Sequence, residues 1–173
     1  MKKLVKKEKG FTIIEVVLVL AIAGLIFMVV FLAVPGLQRS QRDTQRKQDL
    51  GRMVSTITSF QSNNRGDISL NDADYNHQAS GDQQGVYAEL VSGGSRFDDP
   101  STHSPYVVKK VYNASDGITT GELEKVGDIV IIVNASCADP VSASSYFKEG
   151  GGSDNASFAV IMRTEGGYYC QNG

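Results

Sequence analysis

The chain has 173 residues and a formal net charge of −2, from 17 Lys and Arg against 19 Asp and Glu. Once the apolar N-terminal segment and its extension to about residue 62 are set aside, about 110 residues remain, which suffice for one small domain and not for two. From Gly66 onward there are 6 basic and 15 acidic residues. This domain therefore lacks the basic surface on which non-specific binding to phosphate backbones depends.

Residues 1–10 form a basic leader with five lysines and one glutamate, and the leader ends at Gly10. The residues that follow are apolar or glycine apart from Thr12 and Glu15, and Val16 to Val34 is an unbroken run of 19. A bilayer is spanned by roughly 17–25 such residues. An ordinary secretory signal has a shorter core of about 7–15 residues. The sequence therefore predicts a membrane-spanning helix over residues 11–35.

Glu15 places a carboxylate inside this span. A charged side chain at the centre of a membrane helix costs about 2.5–3.5 kcal/mol on insertion scales, so such residues have a partner or a function. A plain single-span anchor would explain the apolar run and would leave both Glu15 and the leader unexplained.

The basic leader, Gly10, the aromatic Phe11 and Glu15 at the fifth position after the glycine together resemble the class III signal of type IV prepilins. The resemblance implies that prepilin peptidase cleaves between Gly10 and Phe11 and that Phe11 becomes N-methylated. It also implies that Glu15 pairs with the terminal amine of a neighbouring subunit. Gly24 stands where these pilins usually carry a glycine.

Basic residues flank the span on both sides, because a second cluster follows it at Arg39, Arg42, Arg46, Lys47 and Arg52. The positive-inside rule alone therefore does not orient the span. The resemblance implies a cytoplasmic leader and an outward-facing C-terminal domain. It places the prepilin in the cytoplasmic membrane as a single-pass protein and the mature subunit in an extracellular filament.

The helix is expected to continue beyond the membrane over residues 36–62. Residues 38–49 are polar all round, and an apolar stripe with helical spacing follows at Leu50, Met53, Val54, Ile57 and Phe60. We expect one helix from Phe11 to about Ser62, roughly 78 Å long at about 1.5 Å per residue. Its second half would pack this stripe against the C-terminal domain.

Pro35 and Gly36 interrupt this pattern, because proline removes one helical hydrogen bond and glycine adds conformational freedom. Two interpretations stay open. The family resemblance implies a local loss of helix between Gly24 and Pro35 after assembly, as in other type IV pilins. The alternative is a simple kink where the helix leaves the bilayer.

Residues 63–173 are expected to form the globular head, with a loop region at 63–104 that contains one short helix near residues 85–91. A sheet over residues 105–170 follows, and Glu165-Gly166-Gly167 is a hairpin signal. The predicted class is α+β: the long helix packed on a small antiparallel sheet, the pilin roll. The predicted strands are Pro105–Tyr112, Asp128–Asn134, Ser157–Arg163 and Gly167–Cys170.

Cys137 and Cys170 both lie in the domain that the resemblance places outside the cell. Oxidising compartments favour a disulfide between them, and many type IV pilins close a C-terminal loop with such a bridge. Closing this loop is worth on the order of 3–4 kcal/mol in the chain-entropy model. A metal site is disfavoured, since neither cysteine has a Cys or His at short ligand spacing.

No catalytic or cofactor-binding motif is present: the sequence has no nucleophile elbow, phosphate-binding loop or HExxH motif. The alternating oxygen side chains of residues 71–76 resemble a calcium loop but lack the glycine and distal glutamate of an EF-hand, so a solvated loop is favoured. Asn113, Asn134 and Asn155 each begin an Asn-Ala-Ser glycosylation triplet. We interpret these as coincidence, because none has the upstream acidic residue that bacterial systems often require.

The sequence thus indicates a non-enzymatic structural subunit of a type IV pilus, a helical homo-oligomer. Its expected partners are prepilin peptidase, the assembly platform, minor pilins and, before assembly, the membrane. The alternatives are a type II secretion pseudopilin and a minor tip pilin that acts as an adhesin or DNA receptor. Twitching motility, adhesion and DNA uptake belong to the assembled machine, and the acidic head disfavours nucleic-acid binding by this subunit.

Overall fold

The structure is a computed structural model that describes residues 10–66, 68, 75, 85–94, 96–113, 122–142, 145–149 and 157–173. The chain divides into two compact units, Met1–Arg39 and Ser40–Gly173. The first unit contains the apolar segment and the second contains the head, and each is described by itself below.

Helix α1 runs from Ile13 to Asn63, 51 residues, and confirms the single long helix expected from the sequence. It continues through Pro35. The part of α1 near the N-terminus is long and apolar enough to cross a membrane. Among the described residues of the head, two short helices follow, α2 at Gly85–Leu90 and a 3₁₀ turn at Ser92–Gly94. The first of these is the short helix predicted for the loop region.

The head is built on a four-stranded sheet of order β1-β2-β5-β6. Strands β2, β5 and β6 are antiparallel neighbours, and β5 and β6 form the predicted hairpin with Thr164 opposite Gly167. Their bounds are β1 Val107–Asn113, β2 Asp128–Val133, β5 Phe158–Thr164 and β6 Gly167–Asn172. These four strands coincide with the four predicted segments, and the α+β class is confirmed.

One pairing differs from the expected antiparallel sheet, because β1 runs parallel to β2. A parallel pair needs a crossover connection of about a dozen residues or more. The connection from Asn113 to Asp128 is long enough to bring the chain back to the same end of the sheet. The sheet is therefore mixed.

A second sheet, absent from the sequence prediction, pairs β3 (Ala135–Ser142) with β4 (Ser145–Glu149) in antiparallel fashion. Strand β3 follows β2 after a single residue, Asn134, which has a left-handed φ of 60°. Asparagine tolerates this conformation better than most residues, so the chain can leave one sheet and enter the other within one position.

The main sheet is buried on both faces. On one face, Ile131 of β2 and Val160 of β5 contribute to a core with the α1 stripe, in which Leu50, Met53 and Ile57 are fully buried. The other face forms a second cluster, in which partly buried residues of β3, β4 and β6 cover the core residues Leu123, Val130, Ile132, Ala135, Ala159 and Ile161. Double burial explains why β2 and β5 read as continuous apolar runs.

Candidate functional site

The predicted processing site lies just before α1. Gly10 is exposed, and the Phe11 side chain is 88% exposed, whereas the helix begins only at Ile13. The Gly10–Phe11 peptide is therefore outside the helical hydrogen-bonding pattern. Residues 1–9 of the leader lie outside the described part of the chain.

Thr12 and Glu15 form a capping box at the start of α1. The Thr12 N–H and hydroxyl donate to Glu15 Oε2 at 2.9 and 2.8 Å, and the Glu15 N–H lies 3.4 Å from Thr12 Oγ1 as a longer return bond. This reciprocal arrangement satisfies backbone donors that have no partner within the helix. The Thr-x-x-Glu spacing before an apolar run was a readable sequence signal, but the sequence interpretation assigned no role to Thr12.

The apolar part of α1 buries almost none of its surface within its own unit. Its large side chains from Phe11 to Leu37 are between 41% and 88% exposed. A continuous apolar surface of this kind is stable only against lipid or against other protein chains. Gly24 and Gly36 have no atom within 4 Å of a built Cβ, so contacts inside this chain do not require glycine at either position.

Arg46 lies at the centre of an ion-pair network where the head begins. Its side chain is fully buried, in contrast to the all-round polar surface that the sequence suggested for residues 38–49. The guanidinium donates to Asp99 at 2.7 and 3.2 Å and to Glu165 at 3.0 Å. It also donates to Asp43 at 2.9 Å and to the Ser101 hydroxyl at 2.9 Å.

The same carboxylates hold the turn between β5 and β6. Arg42 makes a bidentate pair with Glu165, at 2.7 and 2.9 Å. Asp43 accepts the backbone N–H groups of Glu165 and Gly166 at 3.0 and 2.9 Å. The hairpin turn is therefore fixed on α1 by charge-assisted hydrogen bonds, which are stronger than neutral ones.

These contacts shift the pKa values of the groups involved. Although burial opposes ionisation of Asp99, its hydrogen bonds with Arg46 and Ser101 lower its pKa to about 2. The Arg42 guanidinium, and after it Arg46, lower the pKa of Glu165 to about 2. Burial alone would lower the pKa of Arg46, but its three carboxylate partners raise it above its usual value.

A second polar contact lies one turn further along α1. The Tyr106 hydroxyl donates to Asp49 at 3.2 Å, and Arg52 pairs with Asp49 at 3.3 Å. Arg52 also donates to the backbone carbonyls of Leu90 and Arg96 at 3.1 Å each. Most of the basic cluster that follows the membrane segment is thus committed to contacts within the head.

The cysteine pairing expected from the resemblance is confirmed: Cys137 of β3 is bonded to Cys170 of β6, with a Cα–Cα distance of 5.7 Å. The Cys137 N–H also donates to the side chain of Asn172. The bridge therefore attaches the small sheet to the edge of the main sheet, over the second apolar cluster.

The structure gives little support to the glycosylation triplets and to the calcium-like segment. Asn134 is only 9% exposed, which disfavours it as a glycosylation acceptor, while Asn155 lies outside the described residues. Of the calcium-like segment 71–76, only Tyr75 is described, and it is buried. Within the described part of the chain, no group of three His, Cys, Asp or Glu side chains is placed to hold a metal ion.

Comparison with known proteins gives one match. Residues 5–31 match the family model of the prokaryotic N-terminal methylation motif. No curated protein and no solved structure matches the chain. The matched residues include Gly10 and Phe11 of the predicted processing site, the capping box and most of the apolar part of α1.

Proposed function

We propose that this chain, whose N-terminal methylation motif supports a type IV pilin-type prepilin, is a structural subunit of a type IV pilus. The observation that carries the proposal is the exposed apolar surface of α1. Both a membrane and a bundle of identical helices cover such a surface, so the chain can be stored in lipid and then polymerised.

Processing would couple these two states. Cleavage after Gly10 removes the five leader lysines and exposes the amine of Phe11, which is then methylated. Helix association in an apolar surrounding depends on close packing and polar contacts, because lipid already satisfies apolar side chains. A specific polar pair is therefore needed to favour the filament over the membrane.

Glu15 and the Phe11 amine of a neighbouring subunit would supply that pair. An unpaired carboxylate resists transfer into an apolar filament core, whereas a paired one is attracted strongly where the dielectric constant is low. The pair would also set the axial register between subunits. The Thr12 contacts hold the carboxylate at the first turn of α1, next to the segment where the new amine forms.

The test is mass spectrometry of filaments sheared from the cell surface, with a strain that lacks prepilin peptidase as the control. We expect abundant protein that starts at methylated Phe11. Its mass should be lower than that of the reduced protein by two hydrogens, because Cys137 and Cys170 form a disulfide. Processed protein confined to the membrane would instead identify a type II secretion pseudopilin or a rare tip subunit. A retained leader in mature material would overturn the assignment.

A further inference from the structure

We propose that the Arg46 ion-pair network is an acid-sensitive clasp, which holds the loop at residues 98–105 and the β5–β6 turn on α1 and opens locally as the pH falls. The inference concerns the head alone. It therefore stands whether or not the chain polymerises, and its test is separate from the test of the proposed function.

The geometry makes the clasp dependent on charge. The Arg46 guanidinium is fully buried and has three carboxylate partners from three separate segments: Asp43 on α1, Asp99 in the loop and Glu165 in the turn. A guanidinium stays charged at any pH at which a protein is folded. Burying it is tolerated only while its partners are ionised and hydrogen-bonded.

The carboxylates also organise the backbone of the segments that they hold. Asp99 accepts the N–H groups of Ser101 and Thr102 at 2.8 and 3.2 Å, which shapes the loop. Asp43 accepts the two N–H groups of the hairpin turn. Protonation of Asp99 would weaken its guanidinium contact and its contacts with the loop backbone together.

The charges around the network decide the direction of the effect. Two cations, Arg42 and Arg46, lie among three anions, Asp43, Asp99 and Glu165. The nearby Asp49 is paired with Arg52 and accepts from the Tyr106 hydroxyl. When Asp99 and Glu165 are protonated, the two guanidinium groups remain close together with fewer counter-charges, and rehydration of Arg46 becomes favourable.

The pKa shifts support this direction. The pKa values of Asp99 and Glu165 lie at about 2, below their ordinary values of 3.8 and 4.5. Groups with lowered pKa values stabilise the folded state above their ordinary pKa, and this contribution is lost as the pH falls toward the lowered value. The clasp should therefore weaken between about pH 4.5 and about pH 2.

The described residues of β2 and β5 contain no comparable network of ion pairs around a buried cation. Strands β2 and β5 are almost entirely buried and apolar, and the bridge between Cys137 and Cys170 does not titrate. Acid should therefore release the loop and the turn while the sheet stays folded, which is a local opening of the kind that hydrogen exchange detects.

The experiment is hydrogen–deuterium exchange of the full-length chain in detergent micelles from pH 7 to pH 2, corrected for the intrinsic exchange rate. We expect peptides that cover residues 96–106 and 163–167 to lose at least tenfold protection below about pH 4. Peptides from β2 should keep theirs. Asp99→Asn should abolish the protection of the loop already at pH 7, whereas the neighbouring control Asp98→Asn should behave as the wild type.

Three results would overturn the inference. These are protection of the loop and turn that persists to pH 2, simultaneous loss of protection in the loop and in β2, or wild-type behaviour of Asp99→Asn at every pH. If Asp99→Asn fails to fold, the pH profile of the wild type decides by itself, because it separates local from global opening.

Discussion

The apolar part of α1 and the core of the head are both rich in large apolar residues, yet they differ completely in burial. Ile22 is 54% exposed and Ile131 is fully buried. The head buries most of its large apolar side chains within its own unit, whereas the apolar part of α1 leaves its large apolar side chains exposed. Apolar side chains that the chain itself leaves exposed indicate that another surface covers them, whereas those of the head serve its own stability.

The largest difference in the free energy of unfolding should come from an Ile→Ala substitution made once in the core of the head and once in the apolar part of α1. Ile131→Ala removes buried methyl groups and leaves a cavity, so we expect it to lower the free energy of unfolding of the head by about 4 kcal/mol. Ile22→Ala should lower it by less than about 0.5 kcal/mol, as is usual for an exposed site. Denaturant unfolding of the detergent-solubilised chain, followed by near-ultraviolet circular dichroism, measures both. Equal effects would remove the distinction between the regions.

The disulfide between Cys137 and Cys170 should stabilise the head against unfolding and should have no effect on the apolar part of α1. We expect the double substitution Cys137→Ser and Cys170→Ser to lower the free energy of unfolding by about 3 kcal/mol, because the unfolded chain regains its loop entropy. The same unfolding measurement on the oxidised and reduced wild type is the control. A change of less than about 1 kcal/mol would show that the second apolar cluster holds the small sheet without the bridge.

A smaller effect is expected at the start of α1. Thr12→Val keeps the shape of the side chain and removes the hydroxyl that donates to Glu15. The loss of a cap costs about 1 kcal/mol, which corresponds to about fivefold in an equilibrium. We expect about fivefold less protein in sheared filaments, and recovery with Thr12→Ser. If Thr12→Val and Thr12→Ser give equal amounts, the hydroxyl does not position Glu15.

Much of this fold could be predicted because its signals are local. The N-terminal apolar run, the stripe from Leu50 to Phe60 and the continuous apolar run of β5 each lie within a short stretch of chain. Strands β3 and β4 could not be predicted, since β3 contains Asp139-Pro140, which disfavours a strand, and depends on packing and on the bridge to β6. The sequence of β1 does not indicate whether the strand pairs with β2 in a parallel or an antiparallel direction.

The candidate site divides in the same way. Gly10, Phe11 and Glu15 could be proposed as processing and assembly residues, because their spacing is fixed over a few residues. The role of Arg46 could not, since two of its partners, Asp99 and Glu165, lie 53 and 119 positions away. An arginine in a polar stretch of helix is usually solvated, and only the folded head brings acids around it. Several assignments stay predictions: the cleavage between Gly10 and Phe11, the methylation of Phe11, and the role of Glu15 in assembly. The local loss of helix between Gly24 and Pro35-Gly36 also stays a prediction.

The central claim is that the exposed apolar part of α1 is an assembly surface and that its one carboxylate, Glu15, pairs with a neighbouring subunit in the filament. The most direct test is the ratio of processed protein in the sheared filaments to that in the membrane, for Glu15→Ala against the wild type. We expect normal processing and at least a tenfold lower ratio for the variant, because the neighbouring amine loses its partner. An unchanged ratio, with wild-type amounts of filament, would contradict the claim.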